Sequence, residues 1–435
     1  MINFRRRLGI RLGVLLGVLL GVQLGGAQAP SAQVTAIKAG RLFDAVAGTM
    51  LANQVILVKD GRITAVGAGL AIPKGAKVID LSAMTVLPGL LDMHTHLIGP
   101  PNDPDPLHEL ERTSAEEVMR SLPNPPKVLM AGFTTVRDVG TYRALTDVSM
   151  RDAIARGDVV GPRMFVAGAY VTITGGAGAV TGFSPDVILP WDMHYAEANS
   201  PWEGRQRVRM LAGQGVDFIK VLSTGAVLTH NSNANAREFT DEELVAIVDE
   251  AHNFGFKVAA HAHNAAGIKA AVKAGVNSIE HGSYLDEEGI QLMKQHGTYL
   301  VPTLETTECI SAANGYPADF LEHSDRLNEL SIENFKRAVR EGVKIAFGTD
   351  ISVCPFGTNG REFYWMVKYG MTPTASLQAA TVGAADLLGQ TANVGSITQG
   401  KFADIIAVKG DPLADITVME KVQFVMKAGV VYKGP

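Results

Sequence analysis

The sequence predicts an α/β chain: a (β/α)8 TIM barrel with a small β-sandwich-like domain built from both chain ends. Three observations predict it. From about residue 88 to 400, short β-branched runs alternate with helical segments. The stretches on either side have a different texture, of closely spaced strands punctuated by glycine. The chain, at 435 residues, is long enough for one large barrel and a smaller accessory domain.

The N-terminus stands apart from the fold. Arg5, Arg6, Arg7 and Arg11 form a basic region, followed by an apolar Leu/Gly/Val-rich run from Leu12 to Gly26. Gly25-Gly26-Ala27 offers small residues for cleavage. Residues 1–27 are read as a secretory signal peptide, with an uncleaved N-terminal anchor as the alternative. The apolar run is short for a membrane span. The expected location is exported, periplasmic or secreted, with no stable membrane insertion after cleavage. Removing the segment takes away four Arg and no acid, moving the net charge from -5 to -9. Neither value suits a nucleic-acid binder.

Residues 34–87 read as short strands, including Val34–Ile37, Gln54–Val58 and Ile63–Val66, with Lys59-Asp60-Gly61 as a hairpin turn. Residues 401–435 look alike, through 404–408, 422–426 and 430–432. The two ends are expected to form one β-domain, with residues 88–400 as the barrel. Barrel strands are expected at Val86-Leu87 with Leu90-Leu91, and at Thr134–Val136, Met164–Ala167, Phe218–Leu222, Val258–Ala260, Ser278–Glu280, Tyr299–Val301 and Ile345–Phe347. Ser114 to Glu117 and Thr240 to Glu243 read as capping boxes, and Thr372-Pro373 as a helix start. Gly255, Gly275, Gly297 and Gly342 stand where helices should stop. The Gly/Pro-rich segment Gly175–Pro201 is either an active-site lid or a surface loop. Cys309 and Cys354, the two cysteines, could pair in an exported protein but fall in different predicted loops, so a disulfide framework is not indicated and Cys metal ligands are not needed.

Five polar features sit at strand ends, the face of such a barrel that surrounds its active site. His94-Thr95-His96 follows a strand, and alternate residues of a strand point to one side, so both imidazoles can reach one ion. Lys220 lies inside the apolar run Phe218–Leu222, where an unpaired ammonium is costly. It reads either as a salt-bridged lysine or as one carboxylated by CO2, whose carbamate oxygens can bridge cations. His261-Ala262-His263 and His281 end two further strands, and Asp350 ends Ile345-Ala-Phe-Gly-Thr-Asp350. A carboxylate there is expensive to bury unless it binds a cation or a proton. Histidines and a carboxylate without cysteine suit zinc or a similar divalent ion.

The chain resembles the amidohydrolase superfamily over nearly all of its mature length. The matching motifs are Val86-Leu-Pro-Gly-Leu-Leu-Asp-Met-His-Thr-His96, Thr134-Thr-Val-Arg-Asp-Val-Gly140, Asp217-Phe-Ile-Lys220, Ala260-His-Ala-His263, Ser278-Ile-Glu-His-Gly282, Gly348-Thr-Asp350 and Gly400-Lys-Phe-Ala-Asp404. It is most similar to the prolidase-like branch, which includes dipeptidases and ochratoxin-hydrolysing amidases. The resemblance implies a binuclear site: His94, His96 and Asp350 on the first metal, carboxylated Lys220 as the bridge, His261 and His281 on the second metal. His263 would contact substrate, and Asp350 would act catalytically, moving a proton from an activated water to the leaving amine. Two divalent ions, Zn2+ first among them, and a homo-oligomer are expected on the same ground. Many relatives carry Gly-Gly-His-Gly where this chain reads Thr174-Gly-Gly-Ala-Gly178, so Ala177 replaces that histidine and its role does not transfer.

The expected reaction is hydrolysis of a small-molecule amide to a C-terminal amino acid, as in a dipeptide, an N-acyl amino acid or an ochratoxin-like amide. Arg237, His230, Tyr170 and Tyr284 are candidates for the substrate carboxylate. The competing readings are hydrolysis of a cyclic amide, lactone or other ester at the same site, and a metal-free binding protein on a barrel scaffold.

Overall fold

The computed structural model describes residues 33–99, 110–311, 316 and 318–434. The signal-peptide reading of residues 1–27 lies outside the described residues.

The four N-terminal strands, β1 (Thr35–Asp44), β2 (Thr49–Lys59), β3 (Arg62–Ala68) and β4 (Lys77–Pro88), share a sheet with strands from the other end of the chain. Its order is β15-β14-β13-β4-β1-β2-β3, where β13, β14 and β15 are Ile405–Val408, Val422–Lys427 and Val430–Lys433. The β2–β3 hairpin turns at Asp60-Gly61, both with positive φ (50° and 75°). That pair of left-handed residues matches the twist of the flanking strands. The join between chain ends is β4 against β13, pairing Leu87 with Ile406. Ile37, Ile56, Leu81, Val86, Ile405 and Phe424 lie in one buried cluster behind it.

Two parallel sheets carry the chemistry. One holds β5 (Leu90–Thr95), β6 (Phe133–Asp138) and β7 (Arg163–Val166). The other runs β12-β11-β10-β9-β8, with β8 at Tyr170–Val171, β9 at Ile219–Leu222, β10 at Val258–Ala262, β11 at Ser278–His281 and β12 at Tyr299–Val301. Strands β5, β6, β9, β10 and β12 are buried at every position, the pattern of parallel strands covered on both faces. Gly168 (φ 79°) separates β7 from β8. Asp217 N donates to Val166 O at 2.9 Å, so the chain entering β9 bonds the end of β7. On the other side, Ala346 N donates to Leu300 O (3.0 Å) and Met93 N to Phe347 O (2.8 Å). Asp350 N donates to His94 O (2.7 Å), so residues 344–351 run between β12 and β5.

Three local expectations are corrected. Ile345–Phe347 is not a strand; this segment makes only isolated bridges, Leu300 with Ile345 and Thr95 with Ile351. Asp350 and Ser352 have positive φ (57° and 137°), which breaks the extended ladder. Val86-Leu87 belongs to β4 of the seven-stranded sheet, and the parallel sheet begins at Leu90. The helix Ser114–Ser121 is capped by Thr113, whose side chain accepts from Glu116 N, while Ser114 Oγ donates to Asp192. The Thr240–Glu243 capping box and the Thr372-Pro373 start are as read.

Cys309 and Cys354 are disulfide-bonded, the pairing open to an exported protein, although their predicted loops did not indicate it. The loop after β12 and the loop after Asp350 converge, bringing the two Cα atoms to 5.4 Å. Among the described residues no helix is long and apolar enough to cross a membrane.

Candidate active site

All six proposed ligands and His263 line a single open cavity of ≈ 280 Å³ at the C-terminal ends of the parallel strands. His94 is buried near the end of β5, and His96 lies just beyond it. Lys220 is in β9, His261 in β10, His263 just past it, and His281 ends β11.

The side chains form two groups. His94, His96 and Asp350 offer donor atoms within 4.8 Å of one another, and so do His261, His263 and His281. Asp350 Oδ1 stands 3.5 Å from His94 Nε2 and 3.4 Å from His96 Nε2. The second group contains His263 as well as the two histidines assigned to it from sequence. The His263 and His281 rings stack at 5.0 Å between centroids, and the His261 ring stands 4.6 Å from that of His263. The groups approach where the His94 and His281 rings come to 4.9 Å.

Burial holds every one of these imidazoles neutral. His96 and His263 are pushed down to about 4, and His94, His261 and His281 well below the usual histidine range, with the Lys220 ammonium adding to the effect. Neutral imidazoles keep a lone pair for a cation. The other ring nitrogen is held in each case: His96 Nδ1 by Gly140 O (3.0 Å), His261 Nε2 by Gly225 O (3.2 Å), His263 Nδ1 by Ser283 Oγ (2.8 Å), His281 Nδ1 by Thr303 Oγ1 (2.8 Å). Such contacts fix tautomer and ring orientation. This donor set of neutral imidazoles and a carboxylate fits divalent cations. A third group, Glu305, Cys309 and Cys354, is closed to a metal because its sulfurs are bonded to each other.

Lys220 is 2% exposed, and its Nζ has no hydrogen-bond or ion-pair partner among the described residues. Burial pulls its ammonium down to about 8, against the attraction of Glu280 and Asp350. Burial pushes the Asp350 carboxyl up to about 7. His281, Thr303 and Asp350 all have left-handed φ (67°, 50° and 57°), which for residues other than glycine costs of order 1–3 kcal/mol each.

Sequence reasoning did not assign roles to three buried charges behind this layer. Glu280 accepts from His94 Nδ1 (2.8 Å), from Arg137 Nη2 (2.8 Å) and from Ser278 Oγ. Arg137 also donates through Nε to Met93 O (2.6 Å), tying β6 to β5 and β11. Asp92 accepts from His94 N (3.1 Å), Thr349 Oγ1 (2.6 Å) and Asn359 Nδ2 (2.9 Å), clamping β5 to the segment that carries Asp350. Charged residues inside fully buried strands were the signal that could have found them.

Of the four carboxylate-binding candidates, only Tyr170 reaches the cavity, its hydroxyl 3.2 Å from His96 Nδ1. Arg237 is ion-paired with Asp241 and donates to Phe239 O, and the His230 ring packs on Phe320. Neither these two nor Tyr284 lines the cavity. From the Gly175–Pro201 segment, Ala177 and Gly178 line it, with Ala177 N donating to Glu238 Oε1 (2.6 Å).

Parallel strands with histidines, a lysine and an aspartate at their C-terminal ends define the class: a hydrolase of the amidohydrolase type. The amidohydrolase family profile matches residues 85–432, and the chain belongs to that family. Ochratoxinase of Aspergillus niger is 34% identical over 438 residues, covering 94% of this chain and 88% of that protein. The crystal structure of a Xaa-Pro dipeptidase with bound methionine in the active site superposes with a TM-score of 0.86 at 37% identity, over 92% of this chain and all of that one. The A. niger ochratoxinase crystal structure gives 0.80 at 31% identity, over 93% and 96%. The chain thus falls in the prolidase- and ochratoxinase-like branch and is a hydrolase of amide-type carbon–nitrogen bonds.

Proposed function

We propose that the protein is a binuclear metal-dependent amidohydrolase that cleaves the amide bond to a C-terminal amino acid in a dipeptide, an N-acyl amino acid or an ochratoxin-like amide. The observation that carries this reading is the pair of three-residue donor groups, which approach at His94 and His281 and share one cavity with the buried Lys220. The relatives' names support the substrate class.

His94, His96 and Asp350 would hold one ion, His261 and His281 the other, and Lys220 would bridge them as a carbamate. An amine pulled down to about 8 is partly neutral at physiological pH. Its lone pair adds to the carbon of CO2, one proton leaves, and the anionic N-carboxylate remains. The bound ions, Zn2+ by preference of this donor set, would supply Lewis acidity toward the scissile carbonyl and a water acidified toward about 7. Asp350, beside His94 and His96 at the reacting end of the cavity, would take a proton from the activated water and release it to the leaving amine. His263 faces the cavity from beside His261 and His281, where it would contact substrate. Tyr170 is the remaining donor for the substrate carboxylate.

In this reading the barrel spans residues 88–400, with the parallel sheets and the 344–351 segment as its wall. The β-domain comprises 34–87 and 401–435, and the protein is exported and homo-oligomeric. Metal analysis with an amide screen in zinc and bicarbonate tests the core of it. The expected result is about two metals per chain, hydrolysis of N-acyl amino acids or dipeptides, and activity lost in Lys220→Ala. Fewer than about one metal per chain, with no activity after zinc addition, would sink the proposal.

A further inference from the structure

We propose that the substrate carries a bulky, uncharged, apolar group beside the scissile amide, seated on an aliphatic wall of Ile98, Val227, Leu228, Ile310, Leu327 and Val353. This rests on the amide-hydrolase reading above and adds the substrate class to it.

The six side chains come from five separate segments of the chain and line the same cavity as the histidines. Ile98, Leu228 and Ile310 are only partly buried, yet each packs against the main hydrophobic core. A core-backed aliphatic surface is fixed in place and cannot collapse to hide itself. A ligand that covers it removes it from water, and that is a favourable step proportional to the apolar area covered.

The charges around the cavity point the same way. Apart from the imidazoles, the charged side chains lining it among the described residues are Glu117, Arg143, Lys220 and Asp350. Lys220 and Asp350 sit with the histidines at the reacting end. Glu117 is ion-paired with Arg112 at 3.6 Å. Arg143 Nη1 is held by both oxygens of Asp192 (3.1 and 3.3 Å), and its Nη2 donates to Arg112 O (2.7 Å). A substrate side chain bearing a carboxylate or an ammonium would therefore lose its hydration against the aliphatic wall without gaining a counter-ion, which is costly. One methylene in such a pocket is worth about 10–200-fold in kcat/KM. Discrimination of a Leu- or Phe-sized group against a charged one should therefore reach at least about 100-fold.

The test uses full-length, metal-loaded protein and two matched series. N-acetyl-Leu, -Phe, -Asp and -Lys vary the amine arm, and hexanoyl- and succinyl-glycine vary the acyl arm. The expected result is a preference of at least about 100-fold for the apolar member on one arm or both. Leu228→Glu should shrink the Leu-over-Lys (or, on the acyl arm, hexanoyl-over-succinyl) ratio by about tenfold or more, at unchanged metal content. Should that variant not fold, Val227→Glu reads the same ratio. Equal or better turnover of the charged members on both arms overturns the proposal, as does a wall variant whose ratio is unchanged. Turnover of no member by fully metal-loaded protein overturns the amide reading itself and this inference with it.

Discussion

Replacing Glu280 by Gln isolates the buried charge that holds His94. The substitution conserves volume but removes a carboxylate accepting from His94 Nδ1 and Arg137 Nη2, both at 2.8 Å, with Glu280 fully buried and the Arg137 side chain 4% exposed. At an effective dielectric constant of about 20, unit charges at that separation attract by about 6 kcal/mol, and this attraction is offset by the desolvation of both groups. Removing one partner of such a pair leaves the other charge buried and costs about 3–5 kcal/mol. The amide nitrogen of Gln would also face a donor on Arg137 or on His94. The expected outcome is a stability loss of about 3–5 kcal/mol in urea unfolding and a 10–100-fold loss of metal affinity by chelator competition. The double variant Arg137→Met/Glu280→Leu removes both charges, so it should recover much of the stability while leaving metal affinity impaired. A Glu280→Gln protein with the wild-type urea midpoint and metal affinity within about twofold would refute the argument.

Three further outcomes are expected. Burial lifts the Asp350 carboxyl from 3.8 to about 7, so the folded chain keeps a proton that the unfolded chain has released. Metal-free protein should therefore lose stability as pH rises from about 4 through 7, and Asp350→Asn should remove that share of the slope; superimposable urea-midpoint profiles for the two proteins would contradict it. The Cys309–Cys354 bond closes a loop of sequence separation 45, worth up to about 4 kcal/mol in the chain-entropy picture. A Cys309→Ser/Cys354→Ser protein should unfold at lower urea, and a reductant should no longer affect it; equal midpoints with and without the bond would count against this. Stripping metal should lower the melting temperature, and zinc at 100 times its Kd should restore about 2.7 kcal/mol, read by calorimetry, whereas a Tm indifferent to zinc would argue against a folded-state metal site.

The features legible in the sequence share one property: each is local. His94 and His96, Lys220, His261, His263 and His281 stand out because a polar residue interrupts or ends an apolar run, and the two-residue period of a strand shows which neighbours share a side. The same logic finds the Asp60-Gly61 turn and the Thr240 cap. It fails where the backbone leaves regular geometry. Residues 345–351 are apolar enough to resemble a strand, yet Gly348 lies so close to β5 and β12 that a Cβ there would stand 2.3 Å from Val301 Cγ1. The left-handed Asp350 then turns its carboxylate toward both histidines.

The sequence by itself determined which residue types stand at the ends of the parallel strands and in what order, because burial and strand period are properties of a few consecutive residues. Only the tertiary structure decided who faces whom. Glu280 and Arg137 are 143 residues apart, His94 and Glu280 are 186 apart, and Cys309 and Cys354 belong to loops with no local signal that they meet. It also set His263 beside His261 and His281, and kept Arg237 out of the cavity. Those pairings depend on sheet curvature and on the direction each loop takes as it leaves its strand. Both follow from packing summed over the whole chain, which no short stretch of sequence contains.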